Sequence, residues 1–248
     1  MSLTFRRRGA RVVRGRAGGF RALADGVRVV GNRLSDIGVV ANSRESLVSL
    51  LSLQGVGGTA AEPMRIVLGE GAWSFYGSMT IERSNIHLIG MGSAKFVRTG
   101  ADATPMLLFT GDNITIDGLW LEDTSSTDVI LEFQGDDCTV KDCWVEDCNK
   151  FVEVSGDRSR IMNNEIKDAR AANAVLLTGT TRGHAVTGNR ILQALTPSTV
   201  YMYAGDNVTD SIFIGNVYDS SESEFISYKG SKGNVGSASN NVGTVGVR

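Results

Sequence analysis

Gly111-Asp112-Asn113-Ile114-Thr115-Ile116-Asp117-Gly118 is a phrase that this chain repeats. It returns as Gly135-Asp136-Asp137-Cys138-Thr139-Val140-Lys141-Asp142 and as Gly156-Asp157-Arg158-Ser159-Arg160-Ile161-Met162-Asn163. A looser copy is Thr181-Arg182-Gly183-His184-Ala185-Val186-Thr187-Gly188, and Gly205-Asp206-Asn207-Val208-Thr209 reads as the opening of another. The Asp/Arg position falls at 112, 136, 157, 182 and 206, in steps of 24, 21, 25 and 24. An earlier copy, Ser84-Asn85-Ile86-His87-Leu88-Ile89-Gly90, places Ser84 28 residues before Asp112. A period near 24, made of short alternating runs and turn residues, marks a stacked β-solenoid, whose coils bury their apolar faces against one another.

Each period holds three strands. The repeated phrase supplies the first, with apolar residues alternating with outward polar ones, as in Ile114/Thr115/Ile116 and Cys138/Thr139/Val140. The second is shorter: Leu119–Leu121, Cys143–Val145, Glu165–Ile166 and Arg190–Ile191. The third precedes the next Gly-Asp: Leu107–Phe109, Leu131–Phe133, Val152–Val154, Val175–Leu177, Tyr201–Tyr203 and Ile226–Tyr228. Its middle residue points outward, giving the column Leu108, Glu132, Glu153, Leu176, Met202 and Ser227. Upstream, Met64–Leu68, Met79–Ile81 and Ile86–Ile89 read as strands. The leucines at 47, 50, 51 and 53, with Ser43 as cap, predict a short amphipathic helix that plugs the N-terminal end and hides an open sheet edge.

The expected fold is therefore all-β, a parallel β-helix of about seven coils and roughly 33 Å in height at about 4.8 Å per coil. Residues 1–42 form a separate arm and 43–248 the β-helix domain, with 230–248 a loose last coil. Phe20 to Val30 reads as a hairpin around Asp25-Gly26, a favoured two-residue turn.

The net charge of −2 hides a division. Residues 1–33 hold nine arginines and one acid, Asp25, for a charge of +8, so the remaining residues sum to −10. That asymmetry reads as a basic arm on an acidic body. Arg6, Arg7, Arg8, Arg11, Arg14, Arg16 and Arg21 are its partner-anchoring residues. Guanidinium groups bind phosphates or dock bidentately on acidic protein surfaces; the acidic body favours a protein partner over nucleic acid. The N-terminus carries charge without an apolar h-region, which reads against a secretory signal; its composition is also that of an organelle presequence. No apolar run approaches the roughly 20 residues that span a bilayer, so no membrane partner is expected. Cys138, Cys143 and Cys148 match neither a disulfide framework nor a zinc spacing and read as buried apolar fillers in a reducing compartment.

The stretch Ser43–Phe96 resembles the opening of the pectate-lyase-like superfamily of right-handed, single-stranded parallel β-helices. The resemblance lies in a short helix and glycines, the extended run Met64-Arg65-Ile66-Val67-Leu68-Gly69-Glu70-Gly71-Ala72-Trp73, and the strand-turn-strand from Met79 to Gly92. It implies that fold and leaves activity open, because members include polysaccharide lyases, hydrolases, epimerases and phage tailspikes or other virion proteins. No lyase motif of the superfamily is legible, so no catalytic residue is carried over.

The candidate catalytic residues are Glu122, Glu146, Asp123 and Asp147, two adjacent acids at equivalent places on neighbouring coils. Asp168 and Asp219 extend the aspartate column. Stacking sets such groups about 5 Å apart, near the separation of a retaining glycosidase pair. The same spacing arises in any ladder of turn-capping acids. Lys141, Arg158 and Arg160 are the neighbouring cations a lyase would need. His87 reads as an outward strand residue and His184 as occupying a core slot. Trp120 and Trp144 align on successive coils and, with Trp73, are candidates for stacking on sugars. Leu108, Leu176 and Met202 are the candidate oligomer face. Together these features point to a non-enzymatic bacteriophage virion protein, either a head decoration (cement) protein or a tail-associated one. It would assemble in the host cytoplasm as a homotrimer, dock on capsid or tail proteins through its arm, and need no metal or cofactor. The alternative is a tailspike-like polysaccharide depolymerase, glycosidase or lyase, acting on a bacterial surface polysaccharide.

Overall fold

A computed structural model describes residues 28–30, 38–52, 58–91, 93–100, 104–124, 129–170, 173–192, 200–219, 224–228, 235–239 and 244–247. The described residues open with β1 (Arg28–Val30), β2 (Gly38–Ala41) and helix α1 (Arg44–Ser52). Seven strand triplets follow. They are β3 (Met64–Leu68), β4 (Gly71–Phe75) and β5 (Met79–Ile81); then β6 (Ile86–Gly90), β7 (Ala94–Arg98) and β8 (Leu107–Phe109). Next are β9 (Ile114–Asp117), β10 (Trp120–Asp123) and β11 (Val129–Phe133), then β12 (Thr139–Lys141), β13 (Trp144–Glu146) and β14 (Lys150–Val154). The last three are β15 (Arg160–Met162), β16 (Glu165–Lys167), β17 (Val175–Leu177); β18 (Ala185–Thr187), β19 (Arg190–Leu192), β20 (Val200–Ala204); and β21 (Ser211–Ile214), β22 (Val217–Asp219), β23 (Glu224–Tyr228). β24 (Val235–Ser239) and β25 (Thr244–Val247) close the chain as the expected final coil.

From β3 to β24 every third strand pairs in parallel, with β2 added before β3 and β25 after β23, so the triplets build three sheets around one core: β2-β3-β6-β9-β12-β15-β18-β21-β24, β4-β7-β10-β13-β16-β19-β22, and β5-β8-β11-β14-β17-β20-β23-β25. The fold is thus an all-β parallel β-solenoid. β1 joins the first sheet antiparallel to β2. The hairpin expected around Asp25-Gly26 lies outside the described residues, as does the arm with Arg6, Arg7, Arg8, Arg11, Arg14, Arg16 and Arg21.

Inward positions form continuous apolar stacks, such as Ile66, Leu88, Ile116, Val140, Ile161, Val186 and Phe213 down the first sheet. Leu47 and Leu50 of α1 are buried on the N-terminal end of this core. Ser43 caps the helix: its hydroxyl accepts from the Ser46 N–H at 3.2 Å while the Ser46 hydroxyl accepts from the Ser43 N–H at 3.0 Å.

The Gly-Asp of the repeat has a steric and an electrostatic cause. A Cβ on Gly135 would stand 2.1 Å from the Gly111 carbonyl oxygen, and one on Gly156 2.1 Å from that of Gly135, so the coils close together only where no side chain exists. The next residue's carboxylate accepts the N–H one coil on: Asp112 from Asp136 and Asp136 from Asp157, both at 2.8 Å, and Asp157 from Arg182 at 3.0 Å. Asn85, Asn113, Asp137 and Arg158 then adopt φ near +55°, where Asn and Asp are favoured.

The repeat breaks at Gly205-Asp206. Arg182 is paired with Thr209, not Asp206, and the Thr209 N–H bonds to Thr181 O at 2.8 Å. In earlier coils one residue separates the last inward side chain from the glycine, as Thr110 follows Phe109 and Ser155 follows Val154. Ala204 meets Gly205 directly, and the Gly205 N–H takes the bond to Leu177 O that the Thr178 N–H makes to Val154 O. Three residues then precede Thr209, as three precede Arg182 after Thr178. Counting back from Gly205 therefore misplaces the third strand by one. Tyr203, not Met202, pairs with Leu176, and Met202 is wholly buried beside Val175. Met202 is corrected from the outward column to the core.

Candidate functional site

Two outward columns on the second sheet carry most of the candidate chemistry. One runs Lys95, Trp120, Trp144, Glu165, Arg190; the other runs Val97, Glu122, Glu146, Lys167, Leu192. The sequence alignment of Trp120 with Trp144 and of Glu122 with Glu146 therefore holds as strand register. Trp73 belongs elsewhere: it is buried against Phe96 and donates its indole N–H to Gly69 O at 3.2 Å, which corrects its reading as a sugar-stacking candidate.

Trp144 is 38% exposed and Trp120 half-buried. The Lys95 ammonium stands 4.1 Å from the Trp120 ring centroid and also pairs with Glu122. Glu146 is bound by Lys167 at 3.3 Å, and that hydrogen bond is the main cause raising the lysine's pKa. The two glutamates thus stack, each held by a lysine from a neighbouring strand.

The two aspartates are not equivalent. Asp123 is the inward last residue of β10, wholly buried, bonded to the Arg98 guanidinium at 2.6 Å. Arg98, also wholly buried, donates further to Val129 O at 2.9 Å and to Thr104 O. Asp147 lies past the end of β13 at φ +55°, bonded to Arg170 at 2.9 Å. Arg170 also reaches Thr124 O at 2.6 Å. β10 is one residue longer than β13, which separates the aspartates that the sequence aligned. Asp168 does continue the Asp147 position, with φ +56°. Asp219 is corrected: it pairs with Leu192 and so lies in the glutamate column.

On the first sheet His87 is outward and half-buried, its Nε2 3.1 Å from Asp117 Oδ2. Burial lowers its pKa, outweighing the raising effect of Asp117. Lys141 binds the same Asp117 oxygen at 2.8 Å, the main cause of its raised pKa. At the corner between third and first sheets, the Arg158 guanidinium spans Asp137 at 2.8 Å and Asp136 at 3.2 Å, lowering the Asp137 pKa and raising its own. Lys141 and Arg158, the cations a lyase would use, are thus bound to carboxylates.

His184 fills its expected core slot at 1% exposure. Its Nδ1 accepts from the Ser159 N–H at 3.3 Å, and its Nε2 lies 2.9 Å from the Thr181 hydroxyl. Burial pushes its pKa down to about 4. The three cysteines are buried thiols, each pushed up to about 12 chiefly by burial. Leu108 and Leu176 do point outward, half-buried, with Glu132 and Glu153 between them and Tyr203 beside Leu176.

Sequence reasoning missed a buried amide ladder. The Asn164 side-chain N–H donates to Asn189 Oδ1 at 2.9 Å, and that of Asn189 to Asn216 Oδ1 at 3.0 Å. The same groups donate to the Val140 and Ile161 carbonyls. The signal was present as Asn163-Asn164, Gly188-Asn189 and Gly215-Asn216, a left-handed residue followed by Asn at each first corner.

No protein-family model matches the chain, and no curated protein does. Among solved structures it is similar to ORF18 of Geobacillus virus E2, at 12% identity and a TM-score of 0.38, over 75% of this chain and 55% of that one. The chain thus spans about half the length of that protein.

Proposed function

We propose that the chain is a structural component of a bacteriophage particle, a β-helical body held to capsid or tail proteins by its basic N-terminal arm. The observation that carries this reading is the division of charge, +8 over residues 1–33 against −10 over the rest. The geometry adds support: Glu122, Asp123, Glu146 and Asp147 each engage a cation from a neighbouring strand or corner, an arrangement that fixes coils to one another. Deleting residues 1–33 is expected to leave a folded β-rich body that no longer joins the particle. Wild-type incorporation of the truncated protein would overturn the reading.

A second reading rests on the second sheet, where exposed Trp144 stands beside the stacked Glu122 and Glu146. This is the face a polysaccharide depolymerase would use. Release of reducing ends or unsaturated uronate from a bacterial polysaccharide, abolished by Glu146→Gln, would favour it. Retained activity in Glu146→Gln would remove these residues from any catalytic role.

A further inference from the structure

The three sheets do not end level at the N-terminal end. Among the described residues the first continues past β3 through β2 and β1, whereas the second stops at β4 and the third at β5. Among the described residues β4 therefore pairs on one side only, with β7. The Gly71 N–H donates to Ser93 O, and Phe75 O accepts from the Thr99 N–H, which turns the odd residues of β4 toward β7. By the alternation of a strand, the main-chain groups of Ala72 and Ser74 face the open side.

That edge carries none of the usual obstacles to pairing. Gly71, Ala72 and Ser74 are exposed and small, with no lysine, proline or bulge among them. Tyr76, at its end, is 81% exposed, more than Val48, Met91 or Trp144. Glu70 precedes the strand, Glu82 follows β5, and Glu45 stands in the first turn of α1; all three are exposed. Arg44, beside Glu45, is turned onto the Phe75 ring, 5.8 Å from its centroid.

We infer that the free edge of β4 receives an extended strand from the arginine-rich N-terminal segment, residues 1–27, of a second copy of this chain. Charge selects the occupant: an acid-rimmed edge meets a strongly basic segment.

 The sum over residues 1–27 is seven arginines against Asp25, a charge of +6. Backbone pairing supplies the affinity and the flanking glutamates the preference for arginine. Shape selects a segment over a whole solenoid end, because the overhang of β1 and β2 blocks flush end-to-end stacking of two bodies. β1 itself lies two strand steps beyond β3, which puts the first described residues at the end of the body rather than at the level of β4. The inference goes beyond the anchoring reading: an arm seated on a neighbour's edge ties copies of this chain to one another, whether or not arms also hold them to other proteins of a particle.

The test uses the full chain carrying Ser74→Cys, labelled with a thiol-directed photo-cross-linker. The buried native thiols, held up to about 12, leave position 74 as the reactive one. Isotope-labelled and unlabelled protein are mixed and irradiated, and the joined peptides are sequenced. The expected product joins position 74 of one copy to a peptide from residues 1–27 of the other isotope. Joining to the same copy's arm, to any other segment, or to nothing overturns the inference. Glu70→Lys with Glu82→Lys is expected to lower the yield about tenfold, and an unchanged yield in a folded variant overturns it. Without any substitution at the rim, raising salt from about 50 to about 500 mM should lower the yield as well, since exposed charges are screened. Failure here combined with loss of particle incorporation on deleting 1–33 leaves the anchoring reading standing. A cross-link combined with normal incorporation of the truncated protein removes the anchoring reading and keeps the edge.

Discussion

At the scale of the residue, the repeat is dictated by what two neighbouring coils leave room for. Gly135 lies under the Gly111 carbonyl with no space for a methyl group. Gly135→Ala is expected to cost about 1–3 kcal/mol, the usual range for overpacking against structure that cannot yield. A urea unfolding midpoint lowered relative to wild type checks this, and an unchanged midpoint would refute the close approach. His184 carries a second residue-scale prediction. Its pKa is pushed from the ordinary value near 6.5 down to about 4 by burial, so the folded state prefers the neutral ring. The stability it contributes is fully present above pH 6.5 and is lost as the pH falls toward 4. Between pH 6.5 and 5 the loss should approach about 2 kcal/mol, from about 1.5 pH units at 1.36 kcal/mol each. Unfolding titrations of wild type and His184→Asn across that window measure it; equal slopes would remove His184 as the cause. His87→Asn serves as the comparison, because burial lowers that imidazole too.

At the scale of the element, side chains that cross between coils hold the corners. Arg98 leaves the end of β7, binds Asp123 at the end of β10, and donates to Val129 O at the start of β11. Both charged groups are wholly buried, so deleting one strands the other. Asp123→Asn is expected to cost about 3–5 kcal/mol, while the joint replacement Arg98→Met with Asp123→Leu should recover much of it. Thermal unfolding of the single and double variants decides; a tolerated single variant would show that water reaches the pair. The strands and α1 were legible in the sequence because alternation and leucine spacing report burial directly. Met64–Leu68, Met79–Ile81, Leu107–Phe109 and Val175–Leu177 were read with the bounds they adopt. Met202 was misread because Ala204 abuts Gly205, and a missing spacer reverses the face of every residue counted from that glycine. Asp123 and Asp147 were misread because a one-residue difference in strand length turns an inward acid into a corner acid.

At the scale of the whole molecule, the lateral trimer expected from the sequence depends on that register. Tyr203 is outward beside Leu176, so the lateral contact expected of a trimer would centre on these two, with Glu132 and Glu153 nearer its rim. Burying a leucine contributes roughly 1.5–3 kcal/mol, and a tyrosine adds an aromatic surface. Leu176→Asp with Tyr203→Asp is expected to give monomers that keep the β-rich fold. Met202→Asp, which places a charge in the core, is expected to unfold the coils around it. Sedimentation and circular dichroism separate the outcomes; a wild-type monomer at micromolar concentration would refute a self-standing trimer.

The sequence by itself determined the solenoid, its three strands per coil and the charge division between arm and body. These are properties of period, alternation and composition, which need no knowledge of what touches what. It also placed His184 inside, and Trp120 beside Trp144, because each falls in phase with the repeat. Only the tertiary structure decided which acids lie at the surface and which cation holds each. It alone revealed the ladder of Asn164, Asn189 and Asn216 as a continuous line of buried amides. It also showed that the first sheet overhangs the second at β4. Partner choice is a matter of distances between coils, and one inserted or missing corner residue changes those distances while leaving the period almost unaltered.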